Sequence, residues 1–480
     1  MYDRGVWRAL LLLAACGRFG FDAASTRTGD ATGDTRDTSD GPTGDAALLH
    51  TEIVAGNAGP DDLFGTGVAV SRDGTTMAIG APREDSGATG VNGDEFNNAV
   101  SDSGAAYVLT RDATSWTQQA YLKPSVATAQ QAFGSSVALS ADGNTLAVGE
   151  TNCDVEAVDA GCVEIFVRTG TTWTALQAVA APSADLNDQF GYAVALSDDG
   201  NTLVVGAPNE SSSATTIDGN AGDNSATNAG AAYVFVRSGP TFAIQAYLKA
   251  PNGNASDFLG SAVACSADGN TVAVSAIGEA SADVSMPGDN SRGQAGAVYV
   301  YTRAGTTWTF RHYVKAPAIT NGDFFGLAVA LSADGTRLAV GAPGSDVTLS
   351  NGGAVDVFVL GSVATPEATL AAINPGDTDQ MGVSVALSAD GGTLFAGAAL
   401  EDSASTDPND NSAGDAGAAY RYSRTGTTWT PVEYIKRATP TTGDNFGFPI
   451  AISGDAGVVA IVAGLANASA GVVSVSYFGQ

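Results

Sequence analysis

Two stretches of the chain concentrate side chains able to hold a hard cation. Asp218, Asn220, Asp223 and Asn224 lie within 218–224 (DGNAGDN), and Asp407, Asn409, Asp410 and Asp415 lie within 407–415 (DPNDNSAGD). Carboxylate and amide oxygens at such spacing suit Ca2+, which takes about six to eight oxygen ligands. The same residue types serve equally to turn a solvated loop. Related clusters stand at 94–102 and at Asp289-Asn290. A second set is six aspartates, Asp62, Asp188, Asp257, Asp323, Asp379 and Asp444, each just before a recurring Phe-Gly-like pair, with Gln131 in the remaining place. Their recurrence predicts a structural task, the carboxylate accepting backbone N–H groups in the turn into the next strand. Ligand binding at that point is the alternative.

Cysteine and histidine add little catalytic chemistry. Cys153 and Cys162 flank one short loop, which predicts a local disulfide in an exported chain. Free thiols or a metal site are the alternatives, with no other Cys or His nearby in sequence. Cys265 sits where sibling segments carry Leu139, Leu196, Leu331 and Leu387, and reads as a buried, inert thiol. There are two histidines, His50 and His312, and no G-x-S-x-G, H-E-x-x-H, P-loop or C-x-x-C motif. The expectation is a protein that is not an enzyme. Paired carboxylates acting on a glycan are the competing reading.

The elements that position these residues come from a repeat. An Asp-Gly turn joins two short apolar runs in FFGLAVALSADGTRLAVGAPG (324–344), the strongest short-range signal of a β-hairpin. The unit recurs from Leu63, Ala132, Gln189, Phe258, Gln380 and Asn445, seven times in all. Its Asp residues (Asp73, Asp142, Asp199, Asp268, Asp334, Asp390) read as turn formers, because one Asp cannot supply a Ca2+ shell. Each unit continues through a variable loop into a third strand, such as GAAYVFVR from Gly230. A fourth follows in six units, such as WTFRHYVKAP from Trp308.

Four antiparallel strands per unit, repeated, predict an all-β propeller of seven blades. Seven third strands precede only six fourth strands; 48–54 (LLHTEIV) is the spare strand. It is expected to pair beside 471–478 and close the ring, which removes an exposed edge. Trp116, Trp173, Trp308 and Trp429, with Phe242 in the same place, read as packing between blades. Stacking on a glycan is the lesser alternative.

Ahead of the propeller, expected over 48–480, residues 1–15 look like a signal peptide, with Arg4 and Arg8 before the apolar run 9–15. Leu13-Ala14-Ala15-Cys16 resembles a bacterial lipobox, which implies cleavage before Cys16 and lipidation of its sulfur. Residues 16–47, rich in Thr, Asp and Gly, read as a disordered linker. The formal net charge of −30 repels nucleic acid and anionic membranes, leaving the lipid anchor as the membrane contact.

Phe64-Gly65…Gly80-Ala81-Pro82, Phe190-Gly191…Gly206-Ala207-Pro208 and Phe325-Gly326…Gly341-Ala342-Pro343 resemble FG-GAP repeats. That resemblance implies the seven-bladed propeller of integrin α subunits and of many bacterial secreted proteins. The family's longer calcium box in the hairpin is shortened here to Ser-Ala-Asp-Gly. The resulting expectation is a lipid-anchored, extracytoplasmic, non-enzymatic recognition or adhesion scaffold for a protein or glycan ligand, with Ca2+ in the Asp/Asn loops as one reading and solvated turns there as the other. A carboxylate-based glycan hydrolase or lyase and a structural envelope protein are the alternatives.

Overall fold

The structure, a computed structural model, describes residues 50–478 except Thr114, Val155, Glu156, Val284, Met286, Pro287, Thr406, Pro408 and Asn409. The expected leader 1–15, Cys16, the expected linker 16–47 and the candidate ligand Asn409 lie outside the described residues. Strand β1 (His50–Ile53) is followed by blade 1: β2 (Val68–Val70), β3 (Thr76–Ala81), β4 (Ala105–Arg111) and β5 (Trp116–Leu122). Blades 2 to 6 repeat that order from β6 (Phe133–Leu139) to β25 (Thr428–Ile435). Blade 7 is built from β26 (Phe446–Ile452), β27 (Val458–Ala463), β28 (Val472–Tyr477) and, as its outer strand, β1. The pairing of β1 runs antiparallel from His50 opposite Ser476 to Ile53 opposite Val473. The ring therefore closes as the sequence predicts, by a strand from the start of the chain.

The Phe-Gly and Gly-Ala-Pro signatures have one physical cause. The glycine of each Phe-Gly-like pair (Gly65, Gly134, Gly191, Gly260, Gly326, Gly382, Gly447) has φ between 91° and 112°, a region that side chains avoid. It also abuts the Gly-Ala-Pro glycine of the preceding blade. A Cβ on Gly80 would lie 1.9 Å from Gly134 O, and one on Gly206 would lie 2.0 Å from Gly260 O. Two blades depart from this rule. Ser275 and Val462 stand in the Gly-Ala-Pro position, opposite Gly326 and Gly65, and only the latter glycines leave room for them.

Second strands such as β3 and β27 are buried at every residue, so both faces of a blade are covered by neighbours. Apolar side chains of adjacent blades pack into shared cores. Leu203, Val205, Tyr233 and Phe235 of blade 3 share a core with Ala147, Val163 and Ile165 of blade 2. Outer strands are tied across blades by their aromatic residues. Trp173 Nε1 donates to Gln119, Trp308 Nε1 to Gln245, and Trp429 Nε1 to Glu367, each on the preceding blade. Trp116 Nε1 donates to Tyr477 OH across the closure. A register shift recurs between third and fourth strands in blades 1 to 6, for example at Val234/Phe235, adding local twist.

Candidate binding face and central channel

In an antiparallel four-stranded blade, the 2–3 loop and the link to the next blade share one end of the ring. The 1–2 and 3–4 hairpins occupy the other. On the first face the 2–3 loops fall into two classes. They span 82–104, 208–230, 277–296 and 399–417 in blades 1, 3, 4 and 6, but only 151–161, 343–353 and 464–471 in blades 2, 5 and 7.

Every long loop is tied at its base by a buried ion pair. Lys123 Nζ donates to Glu84 at 2.7 Å, Lys249 to Glu210 at 2.8 Å, Lys315 to Glu279 at 2.6 Å and Lys436 to Glu401 at 2.7 Å. No side chain in these pairs is more than 2% exposed. The Glu is the third residue of the loop and the Lys directly follows the fourth strand. The Glu also accepts the N–H of the serine two residues on: Ser86, Ser212, Ser281 or Ser403. In blades 1, 4 and 6 an asparagine from the inter-blade link completes the network. Asn57, Asn252 and Asn374 donate Nδ2 to the Glu and accept the hydroxyl of Tyr107, Tyr299 or Tyr420 at 2.7 Å. Burial pulls each lysine below its ordinary value, opposed by the adjacent carboxylate. Hydrogen bonds satisfy both charges, which isolated buried ions need.

The six aspartates of the sequence pattern sit in the same layer, at the start of each inner strand. Each accepts the backbone N–H three residues earlier: Asp62 from Gly59, Asp188 from Asp185, Asp257 from Asn254, Asp323 from Thr320, Asp379 from Gly376 and Asp444 from Thr441. Gln131 does the same with Thr128. Burial, the largest influence, pushes Asp62 up to about 6 and Asp188, Asp257 and Asp379 up to about 7. Asp444 instead pairs with Arg437 at 3.0 Å.

The Asp and Asn residues of the two clusters make hydrogen bonds within their loops and to neighbouring segments. Asp218 Oδ1 accepts the Tyr247 N–H, Asn220 Oδ1 accepts the Gly222 N–H, and Asn224 donates to Asp185. Asp223 accepts from Ser213 and Ser225. Asp410 accepts from Ser405 and Ser412, and Asp407 O accepts the Asp410 N–H. Asp415, at φ 56°, donates its N–H to Asp402. Among the described residues, the one group of three His, Cys, Asp or Glu whose ligand atoms lie within 4.8 Å of one another is Glu150, Cys153 and Cys162. Cys153 and Cys162 form the expected disulfide. Cys265, expected to be buried, is a half-buried free cysteine; desolvation of its thiol pushes it up to about 12.

At the hairpin end the ring axis narrows to a cavity of about 170 Å3, walled by Val70, Leu139, Cys265, Leu331, Leu387 and Ile452. Two residues past each inner strand, seven backbone hydrogen bonds form a closed circle. Arg72 N donates to Ala141 O, Ala141 N to Asp198 O, and Asp198 N to Ala267 O. Ala267, Ala333 and Ala389 continue the series to Gly454, whose N–H returns to Arg72 O. The charged side chains lining the cavity, Arg72 and Asp198, pair with each other at 2.5 Å.

Residue patterns held an unused signal for the buried pairs. A Glu four residues after the Gly-Ala-Pro glycine position and a Tyr-x-Lys at the end of the fourth strand occur in the same four blades.

The family model described as FG-GAP repeat matches residues 116–166 and 173–235. No curated protein matches the sequence. A chain of the solved "Crystal Structure of Mitotic Checkpoint Complex" has a TM-score of 0.52 at 15% identity, covering 93% of this chain and 100% of that chain. A chain of "Kuenenia stuttgartiensis Hydrazine Synthase" has a TM-score of 0.49 at 13% identity, covering 89% and 98%. The first likeness is one of fold alone.

Proposed function

We propose that this seven-bladed FG-GAP-like ring is a non-enzymatic recognition scaffold that binds a protein or glycan through the face bearing its four long loops. The observation that carries the reading is the match between loop length and anchoring. The four blades with long loops have a buried Lys–Glu pair at the loop base, and among the described residues the three with short loops have none. A buried ion pair seldom adds stability over apolar packing. Its value here is to hold each loop stem in one position, so that the tips are presented from a rigid ring.

The channel supports a binder over a hydrolase. Among the described residues its lining holds one carboxylate, Asp198, which is held by Arg72. Glycoside hydrolysis calls for two carboxylates flanking a bond, about 5–10 Å apart. The disulfide and the lipobox-like run ending at Cys16 support presentation outside the cytoplasm on a lipid anchor. The acidic surface favours neutral or cationic ligands over nucleic acid.

The test is a panel of immobilised glycans and extracellular proteins probed with residues 48–480, each glycan also assayed for cleavage. Saturable binding without cleavage is the expected result. Release of new reducing ends, lost on substituting a carboxylate, would replace this reading with the hydrolase.

A further inference from the structure

Blade 2 breaks the anchoring rule in a specific way. Counted from the Gly-Ala-Pro glycine position, Cys153 stands where Glu84 stands in blade 1, and Ala180 follows β9 (Thr172–Val179) where Lys123 follows β5. The lysine ammonium is gone, yet the pocket keeps a carboxylate. Glu150, the last residue of β7 (Thr145–Glu150), is 1% exposed. Its Oε1 has no hydrogen-bond partner among the described residues, and its Oε2 lies 3.4 Å from Cys162 Sγ. Cys153 and Cys162 are each 2% exposed. Glu164, itself buried and hydrogen-bonded to Ser125, and the exposed Asp154 add negative potential. An orphaned acid, two sulfurs and no ammonium make a site short of a cation.

We infer that, when its disulfide is reduced, blade 2 holds a Zn2+-class divalent cation on Cys153 Sγ, Cys162 Sγ and the Glu150 carboxylate, in the space that a lysine ammonium fills in blades 1, 3, 4 and 6. Two thiolates with one carboxylate match the tetrahedral preference of Zn2+, and a water completes four ligands. A dithiol reductant gives two electrons and two protons to the Sγ–Sγ bond; that bond breaks, two S–H groups form, and the reductant becomes a disulfide. On binding, both thiols and the Glu150 carboxyl release their protons to solvent as two S–metal bonds and one O–metal bond form. The pocket is thus closed either by a covalent bond or by a metal. Asp154, next to Cys153, is exposed, which places the site one residue beneath the surface.

The test uses the full chain carrying Cys16→Ser and Cys265→Ser, reduced by a dithiol that is then removed, and titrated with Co2+ alone and then Zn2+ alone. One Co2+ per chain should bind, with thiolate-to-cobalt absorption and the visible bands of a tetrahedral site, and Zn2+ should displace it. The oxidised chain should show none of this. Glu150→Gln should weaken Co2+ binding by at least about tenfold, the smallest loss typical even of residues that only support a ligand. Absence of thiolate-to-cobalt absorption in the folded, reduced chain would overturn the inference, as would unchanged affinity in Glu150→Gln. Should reduction unfold the chain, Zn2+ added beforehand must preserve the fold, and failure to do so would count equally against it.

Discussion

Lys123 Nζ lies 2.7 Å from Glu84 Oε2 although 39 residues separate them, and the two side chains are 0% and 1% exposed. The contact joins the end of the outermost strand of blade 1 to the start of its 2–3 loop. Equivalent contacts in blades 3, 4 and 6 make the loop face a set of four similarly fastened stems.

Removing one partner leaves an uncompensated buried charge. Lys249→Met should cost about 3–5 kcal/mol in denaturant unfolding. The double variant Lys249→Met/Glu210→Leu should regain most of that loss, because apolar packing can replace a buried pair. Hydrogen exchange should speed up across 208–230 in the single variant while 82–104 keeps its protection. Equal exchange in both loops would contradict the anchoring role.

The glycine contacts between blades predict sharply different costs for one chemical change. Gly206→Ala places a Cβ 2.0 Å from Gly260 O, which is backbone and cannot swing aside. It should abolish soluble, folded protein. Gly56→Ala meets nothing within 4 Å and should leave the melting temperature within about 2 °C. Comparable melting of the two variants would remove the explanation offered for both signatures.

Much of this architecture was legible because it is repeated. Six Asp-Gly hairpins, the matching unit from Asn445 and the spare strand at 48–54 led to the closed seven-bladed ring. The turn chemistry was nearly complete too. Ser71 Oγ donates to Asp73, and the same Ser-x-Asp bond recurs through Ser388–Asp390, where the Ser388 hydroxyl and Gly392 N–H hold the carboxyl below its ordinary value. Asp455 makes that bond as well, hidden from the pattern because Ala456 replaces the glycine at φ 58°. What escaped was the pairing of Glu with Lys across a long loop. Composition suggests that charges stay in water, and only topology brings Glu401 to Lys436. The Asp/Asn stretches stay ambiguous for a related reason: residues that bind cations also cap turns, and spacing alone does not separate the two.

Glu150 makes stability depend on pH. Burial, then Glu164 and Asp154, push its carboxyl up to about 8, above its ordinary value near 4.5. The folded state therefore holds a proton that the unfolded chain releases between those values. Its contribution is fully present below about pH 4.5 and is lost as pH rises through about 8. Asp188, Asp257 and Asp379, at about 7, act in the same direction. Relative to wild type, Glu150→Gln should be more stable at pH 9 than at pH 5, by thermal melting of the oxidised protein. A pH-independent difference would mean that Glu150 titrates normally.

Calcium is testable against the loop geometry. Asp223 and Asp410 each accept two hydrogen bonds within their own loops. Millimolar Ca2+ should accordingly leave the melting temperature where chelator leaves it. A site with a dissociation constant a hundredfold below the free Ca2+ level would add about 2.7 kcal/mol. A rise of that size, abolished by Asp223→Asn, would show that the loops rearrange around the ion.

The central claim is that the long-loop face recognises a ligand. The most direct measurement takes a ligand from the binding panel and compares affinities of three proteins: wild type, a variant with 94–99, 219–224 and 407–412 replaced by Gly-Gly, and a variant altered equally in the 3–4 hairpins at 170–171, 305–306 and 426–427. Each is first shown to melt like wild type. Trimmed loops should lose binding at least about tenfold, equivalent to 1.4 kcal/mol, while the hairpin variant binds as wild type does. Unchanged binding after loop trimming, or loss confined to the hairpin variant, would place recognition elsewhere and contradict the account.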